Sequence, residues 1–306
     1  VTNLQLGAGA DSVYGAEDII FSTISGGAGQ DTFLISTLSN AIIYGGSDAD
    51  SVSITGSLYG GTVDFGAGNE AFTLSVGATN ASIAGGSGND TFVVTGSNLQ
   101  TSSTIAGGVG NDSVSFGCDL SRGYVFGCSG NDTLNFSAGV NNSAIVSGDS
   151  GSDLLLFSST ISAASVYGGV GGDSMVFKGA ISNSTIDFGA DSDSLTFSVA
   201  ATSTTILGGS GADTLIFSSG ANLVESSISG GADGDSLYFS AGTQTSASIA
   251  GGGGNDTFVF GDTVGGTLFV SLDQGADSVS FVTKVSGATM HGGNGIQTVL
   301  FSSAAD

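Results

Sequence analysis

Fourteen carboxylates recur along this sequence at nearly constant spacing: Asp11, Asp31, Asp50, Glu70, Asp90, Asp112, Asp132, Asp153, Asp173, Asp193, Asp213, Asp235, Asp256 and Asp277, with Gln297 in the fifteenth place. Successive steps are 19 to 22 residues long. Each member closes a Gly-rich turn, seen most plainly in Gly85-Gly86-Ser87-Gly88-Asn89-Asp90 and Gly251-Gly252-Gly253-Gly254-Asn255-Asp256. Carboxylate and backbone carbonyl oxygens are hard donors that suit Ca2+, which accepts irregular oxygen cages. Glycine at the first, second and fourth turn positions lets carbonyls converge where a Cβ would intrude. Asn, Asp and Gly also fill tight turns for conformational reasons alone, which accounts for any single copy. Turn propensity would accept Asn or Ser at the last position equally well, yet fourteen of fifteen copies hold an acid there. These fourteen are the candidate metal ligands, joined in the same turns by Asp48, Asp149, Asp191, Asp233 and Asp273. Phe65, Phe188 and Leu272, which replace the first Gly, mark the irregular turns.

The flanking residues define what positions these acids. Two places after each acid the residue is apolar (Val13, Phe33, Val52 and onward), and four places after, from the sixth copy, it is Phe, from Phe116 to Phe301. Period-2 spacing puts both on one face of a strand. Seven places before the acid lies a second apolar column, including Ile24, Ile83, Ile105, Ile206 and Ile249, which predicts another strand. Each unit is therefore strand, Gly-rich turn, strand, then a variable Ser/Ala/Asn loop that absorbs the length changes. The expected fold is all-β: a parallel β-solenoid of about fifteen coils with two strands per coil, no helix, and one continuous repeat domain over 1–306. Coils stacked about 4.8 Å apart give a rod about 70 Å long with a core of Phe against Ile and Val. The same stacking lines up carboxylates about 5 Å apart, where each neighbouring pair repels by about 1 kcal/mol even in water. The row needs counter-ions, and up to fourteen shared between turns are expected.

Composition agrees. With 27 acidic against 3 basic side chains, a net charge of −24, the surface repels nucleic acid and anionic lipid. A hydrophobic content of 40% with 19 Phe supports a core rather than disorder. No run approaches the length of a membrane-spanning helix. The start at Val1, without a charged-then-apolar segment, reads as a mature product or an excised region.

The turns resemble the nonapeptide repeats of RTX proteins, whose Gly-Gly-x-Gly-x-Asp-x-apolar-x units build a calcium-bound β-roll. The usual roll of that family carries a calcium turn at both edges of the coil, whereas here one turn occurs per coil. That is similar to the single-edged calcium solenoids of RTX adhesins, some of which bind ice. The resemblance implies one ladder of Ca2+ ions at the fourteen acids, bacterial secretion, and folding on meeting extracellular calcium.

Other features are read as surface. His291 stands outward in the last coil, no unique pocket interrupts the repeats, and no catalytic residues are expected. Cys118 and Cys128 fall on opposite edges and should not pair. An outward Thr/Ser column (Thr23, Thr62, Thr104, Thr185, Thr205) is interrupted by Ile42, Tyr124 and Phe269, and reflects β-propensity. Outward Tyr44, Tyr124, Phe126 and Tyr167 suggest lateral packing. The repeat runs from Leu4 to Phe301 without a visible cap, the pattern of a segment of a longer protein or of coils that stack head to tail between molecules. The expectation is thus a structural, extracellular, calcium-stabilised solenoid that partners itself in a filament or surface layer. The alternatives are the ligand-presenting part of an adhesin, ice-binding types included, and a non-catalytic appendage of a secreted enzyme.

Overall fold

A computed structural model of the chain describes residues 3–15, 18–96, 99–100, 102–218, 220–240, 244–261 and 267–302. The described regular elements are all β-strands, wound into a parallel β-solenoid. They form two compact units, Val1–Leu154 and Leu155–Asp306. In the first, eight strands from Asn3–Ala8 to Ile145–Ser150 pair in chain order, in register and parallel. In the second, seven do so, from Ser165–Val170 to Thr289–His291. Each is followed by its turn acid and a four-residue strand such as Ser113–Phe116 or Thr214–Phe217, which pairs with its own copies.

Register follows from the columns. Ile83 pairs with Ile105 and Ile105 with Val125, while Gly86, Gly108 and Cys128 align beside them. The first strand of most coils, such as Ser82–Ser87, thus extends through the first three residues of the Gly-rich segment, farther than the apolar pattern alone indicates, whereas Phe269–Ser271 and Thr289–His291 stop before it. Both apolar columns point inward: Ile83, Ile105, Ile206, Leu215 and Phe217 are at most 1% exposed. The Phe rings stack along the coils, with centroids 5.1 Å apart for Phe116 and Phe136, 4.8 Å for Phe217 and Phe239, and 5.0 Å for Phe239 and Phe260. Offset stacking at this spacing adds to the burial of each ring.

The structure corrects the expectation of two strands per coil, because the variable loop contains a third. Two-residue strands such as Leu38–Ser39, Leu120–Ser121, Ile161–Ser162 and Ile181–Ser182 pair with one another in parallel. Their first residues are buried, as Leu38, Leu58, Leu120, Ile161 and Ile181 demonstrate. A left-handed residue then turns the corner: Asn40 at φ 47°, Asn80 at 50°, Asn183 at 50°. Asn tolerates that region better than most side chains. Two residues are too few for periodicity to announce a strand, and the flanking Ser and Ala read as loop. A third apolar column is consequently part of the core.

Phe217 is fully buried between Phe197 and Phe239. Phe217→Ala is expected to cost about 3–5 kcal/mol in equilibrium denaturation at fixed calcium. The outward-facing Thr196→Ala should stay within about 0.5 kcal/mol.

Candidate metal centre

Each turn acid immediately precedes the four-residue strand, but its side chain folds back into the turn rather than standing on the edge. Asp31, Asp90, Asp132, Asp213, Asp235, Asp256 and Asp277 are 1% exposed, and Asp50, Glu70, Asp112, Asp153, Asp173 and Asp193 are buried with them, whereas Asp11 in the first coil is half-buried. One carboxylate oxygen has a fixed role. Oδ1 of Asp31 accepts the backbone N–H of Asp11 at 2.8 Å, Oδ1 of Asp112 that of Asp90 at 2.7 Å, and Oδ1 of Asp213 that of Asp193 at 2.8 Å. The same bond recurs from coil to coil within each unit, and in the last coil Gln297 Oε1 takes the N–H of Asp277 at 2.8 Å. Within each unit the acids so bonded tie their coils to the preceding ones.

The other oxygen is the informative one. Oδ2 of Asp11, Asp31, Asp50, Asp90, Asp112, Asp132, Asp193, Asp213, Asp235, Asp256 and Asp277, and Oε1 of Glu70, are buried and accept no hydrogen bond. A buried ionised oxygen without a donor is strongly unfavourable. The backbone around it aims further oxygens at the same place. A Cβ on Gly107 would overlap Asp112 Oδ2 and lie 2.7 Å from the Gly127 carbonyl oxygen; a Cβ on Gly127 would overlap Asp132 Oδ2 and lie 2.7 Å from Gly148 O. The first turn glycine is thus required by the approach of the carboxylate and of the next coil's carbonyl. No group of three or more His, Cys, Asp or Glu side chains that could hold a metal occurs among the described residues. Within each unit the structure arranges the predicted acids in single file, one per turn, so the donor set at each is one carboxylate with backbone carbonyls. Those hard oxygens fit Ca2+, whose sites commonly mix the two and tolerate irregular geometry.

The irregular turns are resolved individually. Phe65, Phe188 and Leu272 are fully buried at the first turn position. In the turn with Phe65 the acid is Glu70, whose longer side chain carries its unbonded oxygen to the fourth position, beside Gly68 and the Asp48 carbonyl. Asp48, Asp149, Asp191, Asp233 and Asp273 do not join the inner row. They occupy left-handed turn positions with φ between 60° and 79° on the solvent side. Asp48 accepts from Gly29 N–H at 3.1 Å, and Asp273 from Ser271 Oγ at 2.5 Å. Cys128 takes a corresponding left-handed place, and burial pushes its thiol pKa up; it is not bridged to Cys118.

A second ladder was missed in the sequence. Exposed Asn69, Asn89 and Asn111, one place before the acid, each accept at Oδ1 the backbone N–H of the next coil's residue, at 2.7 Å, and Asn131 accepts that of Ser152 at 2.8 Å. Asn255 does the same for Ala276. The repeated Gly-Asn-Asp triplet was the available signal, but it reads equally well as turn composition.

Burial, opposed by the backbone hydrogen bond and reinforced by neighbouring carboxylates, raises the carboxyl pKa values. Asp50, Asp112, Asp132, Asp213 and Asp256 are pushed up to about 6, Glu70 and Asp235 to about 7, and Asp193 to about 8. Asp90 and Asp153 also rise, burial again being the largest cause.

This fold, with its row of turn carboxylates in each unit, defines a parallel β-solenoid architecture. The chain is similar to the crystal structure of a hyperactive, Ca2+-dependent, β-helical antifreeze protein from an Antarctic bacterium, with a TM-score of 0.64 and 22% identity over 91% of this chain and 85% of that one. No family model and no curated protein sequence matches.

The raised pKa values fix a pH dependence for the cation-free chain. The folded state retains protons that an unfolded chain releases near 3.8 for Asp and 4.5 for Glu, so this stability is complete below those values and is lost as pH rises through about 6 to 8. Thermal midpoints in chelator should fall from pH 4 to pH 8, and saturating calcium should abolish that fall. A flat profile in chelator would contradict the buried geometry.

Proposed function

We propose that the chain is a calcium-stabilised structural solenoid working outside the cell. The observation that carries this reading is the buried carboxylate oxygen in successive turns, unbonded and facing the next coil's carbonyl. A divalent cation satisfies both oxygens and offsets the charge of −24. Sites with one carboxylate each are suited to the calcium levels met by extracellular modules, whose affinities are about 10⁻⁴–10⁻³ M. The calcium dependence of the structurally similar antifreeze protein supports the choice of metal. The first test is circular dichroism of the purified chain at pH 7.5: the strand spectrum should collapse on chelation and return with Ca2+. A strand spectrum unchanged after full metal removal would overturn the reading.

Self-association follows as the working mode. Leu4 in the first coil, and Val299 and Phe301 in the last, belong to the inward columns yet are 38–68% exposed. A coil of like cross-section, supplied by another copy or by more of the same chain, would continue the columns that these residues terminate. Among copies of this chain, head-to-tail contact gives a filament or layer. Sedimentation at saturating calcium should reveal concentration-dependent oligomers that Phe301→Asp abolishes; strict monomers at high concentration would refute the assembly and leave the calcium reading intact.

A second reading is favoured by one observation, the evenly spaced Asn side chains on the solvent side of the turns, together with the antifreeze activity named for the similar structure. In that reading the turn face binds ice. Thermal hysteresis by the calcium-loaded monomer, lost in Asn89→Leu/Asn111→Leu, would favour it over the filament.

A further inference from the structure

We infer that Gln297 is a metal-free rung of the carboxylate row: its amide does alone what a carboxylate and a cation do together elsewhere. This rests on the calcium reading above. Glu70 and Gln297 have side chains of equal length and stand at the same place in their coils. Each uses one oxygen in the same way, Glu70 Oε2 accepting the N–H of Asp50 at 2.7 Å and Gln297 Oε1 that of Asp277 at 2.8 Å.

They differ at the other terminal atom. Glu70 Oε1 is buried without a donor, and it lies beside the Asp48 carbonyl oxygen, since both atoms would collide with a Cβ placed on Gly68. Two oxygens so placed repel unless a cation or proton joins them. In Gln297 the corresponding atom is Nε2, and it donates to the Gly275 carbonyl at 3.2 Å. Gly275 holds the fourth turn position of its coil, as Asp48 does of its own. An N–H therefore closes the contact that Glu70 leaves to an ion. With one lone pair of Oε1 engaged by the backbone and Nε2 presenting hydrogens to the Gly275 carbonyl, Gln297 has no free oxygen facing that carbonyl as Glu70 has toward Asp48. The amide is neutral as well, so this rung adds no charge to the row. The substitution that looked like a lost site is a site replaced by a direct bond.

The consequence is a countable one. Native mass spectrometry of the full 306-residue chain, loaded with Ca2+ and compared with Q297E and E70Q, reads the number of tightly held ions, while circular dichroism verifies that each variant is folded. Q297E restores a carboxylate against the Gly275 carbonyl and should hold one ion more than the wild type. E70Q carries the self-satisfying amide into a turn flanked by coils on both sides and should hold one ion fewer. An unchanged count in either variant would overturn the inference while leaving the calcium reading in place. A wild type that holds no ion would overturn both.

Discussion

A carboxylate buried in a tight turn, with one oxygen bonded to backbone and the other facing a second oxygen, is the constraint on which this structure turns. The bonded oxygen fixes one coil to the previous one through a charge-assisted contact, of the kind Asp112 makes with the Asp90 N–H. At Gly107 and Gly127 the unbonded oxygen leaves the first turn residue no room for a Cβ. Its burial inside the turn raises the pKa values of the row, and the neighbouring carboxylates add to that rise.

The apolar columns and the turn divide the work of stacking. Rings such as Phe217 and Phe239 bring coils together without regard to charge, and the parallel ladders align them to the residue. The turn makes that alignment conditional, because its like charges repel at the spacing the rings impose. Outside the acids, the Asn69 to Asn131 ladder ties the turns together a second time with neutral amides. The inner and outer ladders are adjacent in sequence and opposite in electrostatic character, the first charged and buried, the second neutral and exposed.

Much of this could be read from the sequence. The repeat period, the two long strands, the inward Phe and Ile columns and the row of acids all follow from columns of like residues a fixed distance apart. What escaped notice has physical reasons. The third strand is two residues long, as in Leu120–Ser121, below the length at which alternation can be recognised. The inward folding of the acids depends on χ angles that spacing does not encode. Asn89 resembles turn filler until its partner, the Asn111 N–H, is located in the next coil. The exchange of Phe65 and Glu70 in one turn shows two departures that are each minor in sequence and related in space. Asp193 and Asp277 remain Asp beside Phe188 and Leu272, so the exchange is one accommodation and not a rule.

In-register pairing means that each column residue meets chiefly its own counterparts: Ile83 meets Ile105, and Phe217 meets Phe239. A whole coil duplicated or deleted in the gene would present the same faces to the coils on either side. Copy number is thus a variable that recombination can alter without redesigning a single contact, and selection can adjust the number of turn carboxylates one coil at a time. A change within one coil has the opposite character, since it is felt only by immediate neighbours. Such an architecture is open to growth by repetition and tolerant of local divergence, which is how a turn such as that of Gln297 can acquire its own chemistry while the others keep theirs.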